Sequence, residues 1–401
     1  MKALIISVGT GTRQAVDAVE SLANALAFSI THHNPDKIFF VVSRESLENT
    51  LPLILKRTEI KNYEVIRVED PDDIQRIYED LRLKFREIRA EYKNLAVDYT
   101  SGTKAMTGAL TILGAIFEAD ELSYITGKRV GGIVQRGTEN MKIVRPYFAI
   151  SEQKIRLAIE FFNRNQFRSA IRILMDIRKR TADPEIISRI EPLEKLARAY
   201  EHWDRFQHEE ACKEIMELKI AALDKNKRFL GRLMNELKSE EGRPEPYYIA
   251  DLINNAKRRG EIEEKYDDAV ARLYRTVELI AHYRLKRDYE IDPQKPDPNQ
   301  IPTELKRRWN ITQGEPIRLS LKMSYELLEA EGDTLGKRFL EDTKMQGLLS
   351  RRNQSILAHG INPINKEIYT SLLKKTTEYA KETIENLQQL IEDSKFIKWK
   401  Y

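Results

Sequence analysis

Leu95-Ala96-Val97-Asp98-Tyr99-Thr100-Ser101-Gly102-Thr103-Lys104-Ala105-Met106-Thr107 decides the fold of the N-terminal third. A short apolar run stops at a carboxylate, crosses a turn of hydroxyls and glycine, and reopens as a helical pattern. Such a strand-to-helix turn leaves backbone N–H groups and the positive helix end free to hold an anion. Lys104 adds a mobile cation, and Ser101, Thr103 and Thr107 add donors. The start of the chain repeats the arrangement, because the run 4–8 leads into Gly9-Thr10-Gly11-Thr12-Arg13-Gln14. A third cluster, Thr126-Gly127-Lys128-Arg129-Val130-Gly131-Gly132, is basic and glycine-rich. Each loop alone could be ordinary turn chemistry. Three of one character point to a phosphate-bearing ligand.

Working outward, apolar runs at 4–8, 38–42, 63–68, 95–99 and 122–126 alternate with helical patterns at 13–32, 45–57, 72–91 and 103–118. Strands interleaved with helices predict a mainly parallel sheet covered on both faces, with ligands beyond the strands' carboxyl ends. A nicotinamide cofactor is one rival, and Ser43-Arg44 could read its 2′-phosphate. However, Gln14 stands where a dinucleotide fingerprint needs its last glycine. The turn at Gly102 also lacks the upstream glycine of a Walker A loop.

Bulk composition narrows the classes. A 401-residue chain predicts two or three domains. The net charge of +4 is too small for a protein that coats DNA, so no stable DNA binding is expected. The single cysteine, Cys212, excludes an internal disulfide or a multi-cysteine metal site, and reads as a small buried hydrophobe. No metal site is expected. No run approaches the roughly 20 apolar residues of a membrane helix, and no signal segment precedes the first strand. The expectation is a soluble, cytoplasmic protein.

From about residue 152 the pattern is helical throughout. Segments 152–163, 166–180, 185–206, 209–223 and 227–238 carry apolar positions at helical spacing, with Phe161, Phe162 and Phe167 as core candidates. His202 and His208 are six apart, are not an i, i+4 metal pair, and read as solvated. Glu241-Gly242-Arg243-Pro244-Glu245-Pro246 marks a boundary. Beyond it come helices at 248–257 and 262–289, the second with a stripe of Ile262, Tyr266, Val270, Leu273, Val277 and Ile280. Arg275 and Glu278 could pair there. A proline-rich loop at 292–302 precedes helices at 302–309, 320–330, 334–342, 343–359 and 365–393. On the helix 343–359, Arg352, Ile356 and His359 would share one stripe, with Arg352 and His359 about 10 Å apart along the axis. Gly360 and Pro363 would stop it. A permanent cation and a histidine suit phosphodiester chemistry, although the same pair serves equally as a surface arginine and a capping histidine.

Taken together, these pieces resemble one family. The loops Gly9-Thr10-Gly11-Thr12 and Ser101-Gly102-Thr103-Lys104-Ala105-Met106-Thr107 are similar to those of CARF domains, the CRISPR-associated Rossmann-like fold. The stretch Asp251-Leu252-Ile253-Asn254-Asn255-Ala256, the residues Tyr266 to Arg275, and Glu278-Leu279 resemble the helical part of the same proteins. Arg352-Asn353 through His359 resembles the HEPN ribonuclease motif. The chain is thereby identified as a member of the CARF–HEPN ancillary ribonucleases of type III CRISPR systems.

The resemblance implies an α/β Rossmann-like CARF domain at 1–150, an all-α connector at 151–245, and an all-α HEPN bundle at 246–401. It implies a homodimer whose paired CARF domains bind cyclic oligoadenylate, taken as the tetra-adenylate, as an allosteric activator. Ligand contacts fall to Gly9, Thr10, Gly11, Thr12, Ser101, Gly102, Thr103, Lys104, Met106, Thr107 and Arg129. Single-stranded RNA is the expected substrate, cleaved without a metal or other catalytic cofactor by 2′-OH attack to leave a 2′,3′-cyclic phosphate. His359 would act as general base or acid, Arg352 would stabilise phosphate charge, and Asn353 would orient one of them. Slow cleavage of the activator by donors such as Thr10, Ser101 and Lys104 is a further expectation. The contrasting reading is a nucleotide-sensing regulator without nuclease activity.

Overall fold

Strands covered on both faces need apolar residues at consecutive positions, which is how the central runs read. In the computed structural model, which describes every residue except 12–17, 131–132, 312–316 and 401, they become a six-stranded sheet. The elements are β1 (Lys2–Val8), α1 (Ala18–His33), β2 (Lys37–Val42), α2 (Arg44–Asn49), α3 (Leu51–Thr58), β3 (Tyr63–Arg67), α4 (Ile74–Glu91), β4 (Asn94–Asp98), α5 (Lys104–Ile116) and β5 (Glu121–Thr126). A small hairpin follows, β6 (Arg129–Val130) with β7 (Ile133–Val134), and then β8 (Asn140–Val144).

The strand order is β3-β2-β1-β4-β5-β8, with the first five parallel and β8 antiparallel to β5. Alternation splits the strands between two cores. Ala3, Ile5, Phe39, Val41, Leu95 and Val97 pack against α4 and α5. Leu4, Ile6, Val8, Ile38, Phe40 and Val42 pack against α1 and α3. The order reverses direction between β1 and β4, so the loops leaving these neighbours open side by side, the switch-point position where α/β sheets bind ligands. Neither β8 nor the hairpin was expected from the sequence. The helix expected at 45–57 is two helices, broken at Thr50, with Pro52 opening the second.

The chain divides into two units, Met1–Lys154 and Ile155–Tyr401. After α6 (Tyr147–Asn163) come α7 (Phe167–Arg180), α8 (Pro184–Asp204), α9 (His208–Glu217) and α10 (Asp224–Lys238). Next are α11 (Glu245–Lys257), α12 (Tyr266–Tyr289), α13 (Thr303–Arg308), α14 (Leu321–Ala330), α15 (Thr334–Glu341), α16 (Thr343–Asn353), α17 (Lys366–Thr383) and α18 (Leu387–Asp393). The helix expected at 262–289 begins only at Tyr266, because Arg258–Ile262 forms a π-helical turn after α11. Of its expected stripe, Val270, Leu273, Val277 and Ile280 are buried whereas Ile262 is exposed. The segment 365–393 is two helices rather than one. No helix among the described residues is long and apolar enough to cross a membrane.

Phe162, Phe167, Tyr200, Trp203 and Phe229 form the aromatic core of α6–α10, and Phe396 stacks on Tyr200 at 4.0 Å between ring centres. Beside it lies a buried charge cluster. Asp251, on α11, accepts hydrogen bonds from Trp203 Nε1 (3.0 Å) and Arg258 Nη2 (3.4 Å), and lies 2.8 Å from His208 Nε2. Arg258 also donates to Asp204 (2.9 Å) and lies over the Phe396 ring at 3.9 Å. His208 is therefore not solvated, as its sequence context suggested; a buried carboxylate 43 residues away draws it inward. His202 remains partly exposed beside Gln207. Cys212 is half-buried, and burial pushes its thiol up.

Candidate active site and ligand pocket

At the switch point, β1 and β4 are stitched together beyond their hydrogen-bonded registers. Ser101 Oγ donates to the Ser7 carbonyl (2.8 Å) and accepts from the Gly9 amide (3.0 Å), while Ser7 Oγ donates to the Ser101 carbonyl. Gly9 has no room for a side chain, since a Cβ there would lie 2.7 Å from the Gly102 amide nitrogen. Gly102 adopts a φ of +108°, which strains any other residue. These loops form one wall of a cavity of about 470 Å³ lined by Gly9, Thr10, Gly11, Ser101, Gly102 and Thr103. Met106 and Arg129 also line it.

The structure redistributes the expected donors. The hydroxyl of Ser101 is spent on the loops. Thr103 caps α5 by accepting from the Met106 amide and donates to the Pro71 carbonyl. Thr107 bonds back to the carbonyls of Thr103 and Lys104, and neither Thr107 nor the exposed Lys104 lines the cavity. Thr107 shows a general tendency, since a hydroxyl in the first turn of a helix finds a local backbone partner. Thr12 lies outside the described residues, as do Arg13, Gln14, Gly131 and Gly132. Of the three donors expected to assist activator cleavage, Thr10 lines the cavity, Ser101 lines it with its hydroxyl already engaged, and Lys104 does not line it.

The lining residues that the sequence does not mark include Glu45, Pro71 and Asp72, and Ser43 lines the cavity too. Ser43, a possible 2′-phosphate reader by sequence, caps α2. They lie just past the ends of β2 and β3, so the strand-end rule applied to every strand would have found them. Behind the loop, buried Asp98 accepts from Ser29 Oγ (2.5 Å), Ser123 Oγ (3.0 Å) and the Thr100 amide (2.8 Å). Ser123 also meets His33 Nε2 at 2.8 Å. The other His33 nitrogen lies 3.4 Å from Glu121. That hydrogen bond, with the charge of Lys2, lowers the Glu121 carboxyl to about 2.

In the second unit, α16 ends at Asn353 rather than continuing to His359. Arg352 and His359 consequently do not share a helical stripe. Beyond α16 apolar residues face outward: Ile356, Leu357 and Ile361 are 66%, 47% and 88% exposed. Without packing to hold another turn, the chain folds into a hook. The His359 amide donates to the Asn353 carbonyl (3.1 Å), Gly360 to Ser355 (3.3 Å) and Asn362 to Gln354 (3.0 Å). A Cβ on Gly360 would lie 2.1 Å from the Gln354 oxygen, so this glycine closes the hook instead of capping the helix.

The hook nevertheless brings both ends of the motif to one place, since His359 is tied to the residue after Arg352. The Arg352 guanidinium lies over the Tyr274 ring at 4.1 Å, and its Nη1 donates to Asn353 Oδ1 (3.2 Å). Its Nε is buried and has no hydrogen-bond partner among the described residues. His359 is exposed, as are Asn353 and Arg351. Arg275 and Glu278 pair on α12, as their spacing predicted. A cation beside an exposed imidazole can bind a phosphodiester and exchange protons with it.

The helical region matches two domain models: the Csm6 6H domain over residues 150–242 and the Csm6 HEPN domain over residues 238–383. The chain belongs to the Csm6 family. Csm6 proteins are the CARF–HEPN ancillary ribonucleases of type III CRISPR systems, and the HEPN match contains Tyr274, Arg352 and His359. Among solved structures, the Csm6 of Enterococcus italicus bound to cyclic hexa-2′-fluoro-hexa-dAMP aligns over 98% of each chain, with a TM-score of 0.64 and 11% identity. It shares the fold. Can2 from Sulfobacillus thermosulfidooxidans, in complex with cyclic tetra-adenylate, covers 47% of this chain and 57% of its own, at 11% identity and a TM-score of 0.24. No curated protein matches the sequence.

Proposed function

We propose that this protein is a homodimeric endoribonuclease that cleaves single-stranded RNA without a metal and is switched on by cyclic oligoadenylate. Residues 1–150 sense the activator, 151–245 connect, and 246–401 cleave. The observation that carries the reading is the hook. It sets His359 beside Asn353 and Arg352, on an exposed surface within the HEPN match. The RNA 2′-oxygen attacks the adjacent phosphorus and the bond to the 5′-oxygen breaks, leaving a 2′,3′-cyclic phosphate and a 5′-hydroxyl. His359 serves as general base or acid. Arg352 holds the phosphate and stabilises charge on its oxygens. Asn353 anchors Arg352.

Exposed Ile356, Leu357 and Ile361 flank these groups, and a second copy covering them would join two Arg352–His359 pairs into one site. The switch-point cavity is the activator pocket, served mainly by backbone at Thr10–Gly11 and Ser101–Thr103, with Arg129 as its basic side chain. A cyclic ligand with two-fold symmetry suits a two-fold interface.

The test is cleavage of labelled RNA in EDTA, with and without cyclic tetra-adenylate. We expect activator-dependent cleavage, lost by about 10²–10³ in kcat for Arg352→Ala, the range for one charge-stabilising donor. His359→Ala should cost at least as much. Binding of the activator with no cleavage under any condition would establish the non-catalytic regulator instead.

A further inference from the structure

We infer that Tyr274 is a positioning residue for Arg352, and that the face of its ring, rather than its hydroxyl, helps set the rate of RNA cleavage. This rests on the ribonuclease reading above. Arg352 is the next-to-last residue of α16, where a helix has lost its stabilising turns and a long side chain is free to sample many rotamers. Among the described residues, two contacts hold its guanidinium: Asn353 Oδ1, on an exposed neighbour at the same frayed end, and the Tyr274 ring. The ring is the firmer of the two. It projects from the 24-residue α12, whose adjacent Leu273, Thr276 and Val277 are buried.

The geometry also fixes which part of Arg352 remains usable. The guanidinium carbon lies 4.1 Å from the ring centroid, a stacking distance at which the ring's quadrupole attracts the cation. One planar face is thus occupied, and Nε is enclosed by protein. A phosphate must meet the η nitrogens, in the plane of the group. Stacking leaves those N–H bonds untouched and restricts the plane in which they lie. That is preorganisation towards charge that develops on phosphate oxygens, and a lysine or an unstacked arginine would not provide it.

The experiment uses the full-length protein with saturating cyclic tetra-adenylate and labelled RNA, reading kcat, KM and melting temperature. Tyr274→Phe should keep kcat within about two-fold, because the ring face is retained. Tyr274→Leu should lower kcat about 5- to 30-fold, the factor for one desolvated cation–π contact, with KM little changed. In an Arg352→Ala background the same Tyr274→Leu change should cost nothing further, since the ring acts through the arginine. If Tyr274→Leu lowers the melting temperature, Tyr274→Trp supplies the readout: a larger ring face in the same place should preserve kcat.

Wild-type kcat in Tyr274→Leu, or an equal loss with and without Arg352, would overturn the positioning role while leaving the ribonuclease reading intact. Undiminished cleavage by Arg352→Ala would overturn the positioning role together with the proposed part of Arg352 in cleavage, and is distinguished by that variant alone.

Discussion

Replacing Asp251 by alanine should unfold the helical unit at a markedly lower temperature without touching a group proposed to meet RNA. The carboxylate is fully buried and faces three partners: Trp203 Nε1, His208 Nε2 and Arg258 Nη2. Alanine leaves an indole N–H and an imidazole buried without their acceptor, and Arg258 with Asp204 alone. Removing one member of a buried ion pair costs about 3–5 kcal/mol, because the other charge stays uncompensated. At about 2–4 °C per kcal/mol for a domain of this size, the melting temperature should fall by roughly 6–20 °C. Asp251→Asn separates charge from geometry. Its carbonyl oxygen can still accept from Trp203, so about 1.5–3 kcal/mol should be lost, the contribution of a hydrogen bond to a charged group. Thermal melts followed by circular dichroism, with urea titrations, give both numbers. A melting temperature for Asp251→Ala within about 2 °C of wild type would refute the reasoning, because it would mean that the cluster contributes no net stability.

Gly9→Ala should displace the loops after β1 and β4, since the new Cβ meets the backbone nitrogen of Gly102 at 2.7 Å. Calorimetry should show cyclic tetra-adenylate binding largely lost, and melts should show destabilisation of about 1–3 kcal/mol, as for an overpacked site. Glu121→Gln tests the His33 and Lys2 contacts. A carboxyl lowered from 4.5 to about 2 on folding adds stability above pH 4.5 that disappears as pH falls towards 2. The gap in urea midpoint between wild type and variant should therefore be full at pH 7 and closed near pH 2, and a pH-independent gap would contradict it. Ile361→Asp, placing charge beside exposed Ile356 and Leu357, should shift the proposed dimer to monomer in sedimentation velocity. An unchanged dimer would remove these residues from the interface.

The sheet was legible because its central strands are buried on both faces and announce themselves as unbroken apolar runs. The edge strand β8 was not: Asn140–Val144 pairs with β5 on one side only, and most of it is exposed. At the pocket, sequence indicated the right turns but overcounted the free donors. The partner of Ser101 is 94 residues away, at Ser7, and no local pattern reveals that its hydroxyl is already engaged. The same distance problem hid His208–Asp251 and the Tyr274–Arg352 stack. Helical spacing misled at 343–359 because it set Arg352, Ile356 and His359 on one stripe of a continuous helix, whereas α16 ends at Asn353 and Ile356 lies in solvent.

The hook after Asn353 has a consequence for how this motif tolerates change. On a continuous helix, inserting one residue between Arg352 and His359 would turn the imidazole by about 100°, towards the opposite side. In a hook the two are joined by a backbone bond across its mouth, from the His359 amide to the Asn353 carbonyl. An added residue at exposed Ile356 or Leu357 can bulge outward while that closure is kept. The number of residues separating arginine and histidine is thus a loose variable of this architecture, and the closure of the loop is the strict one.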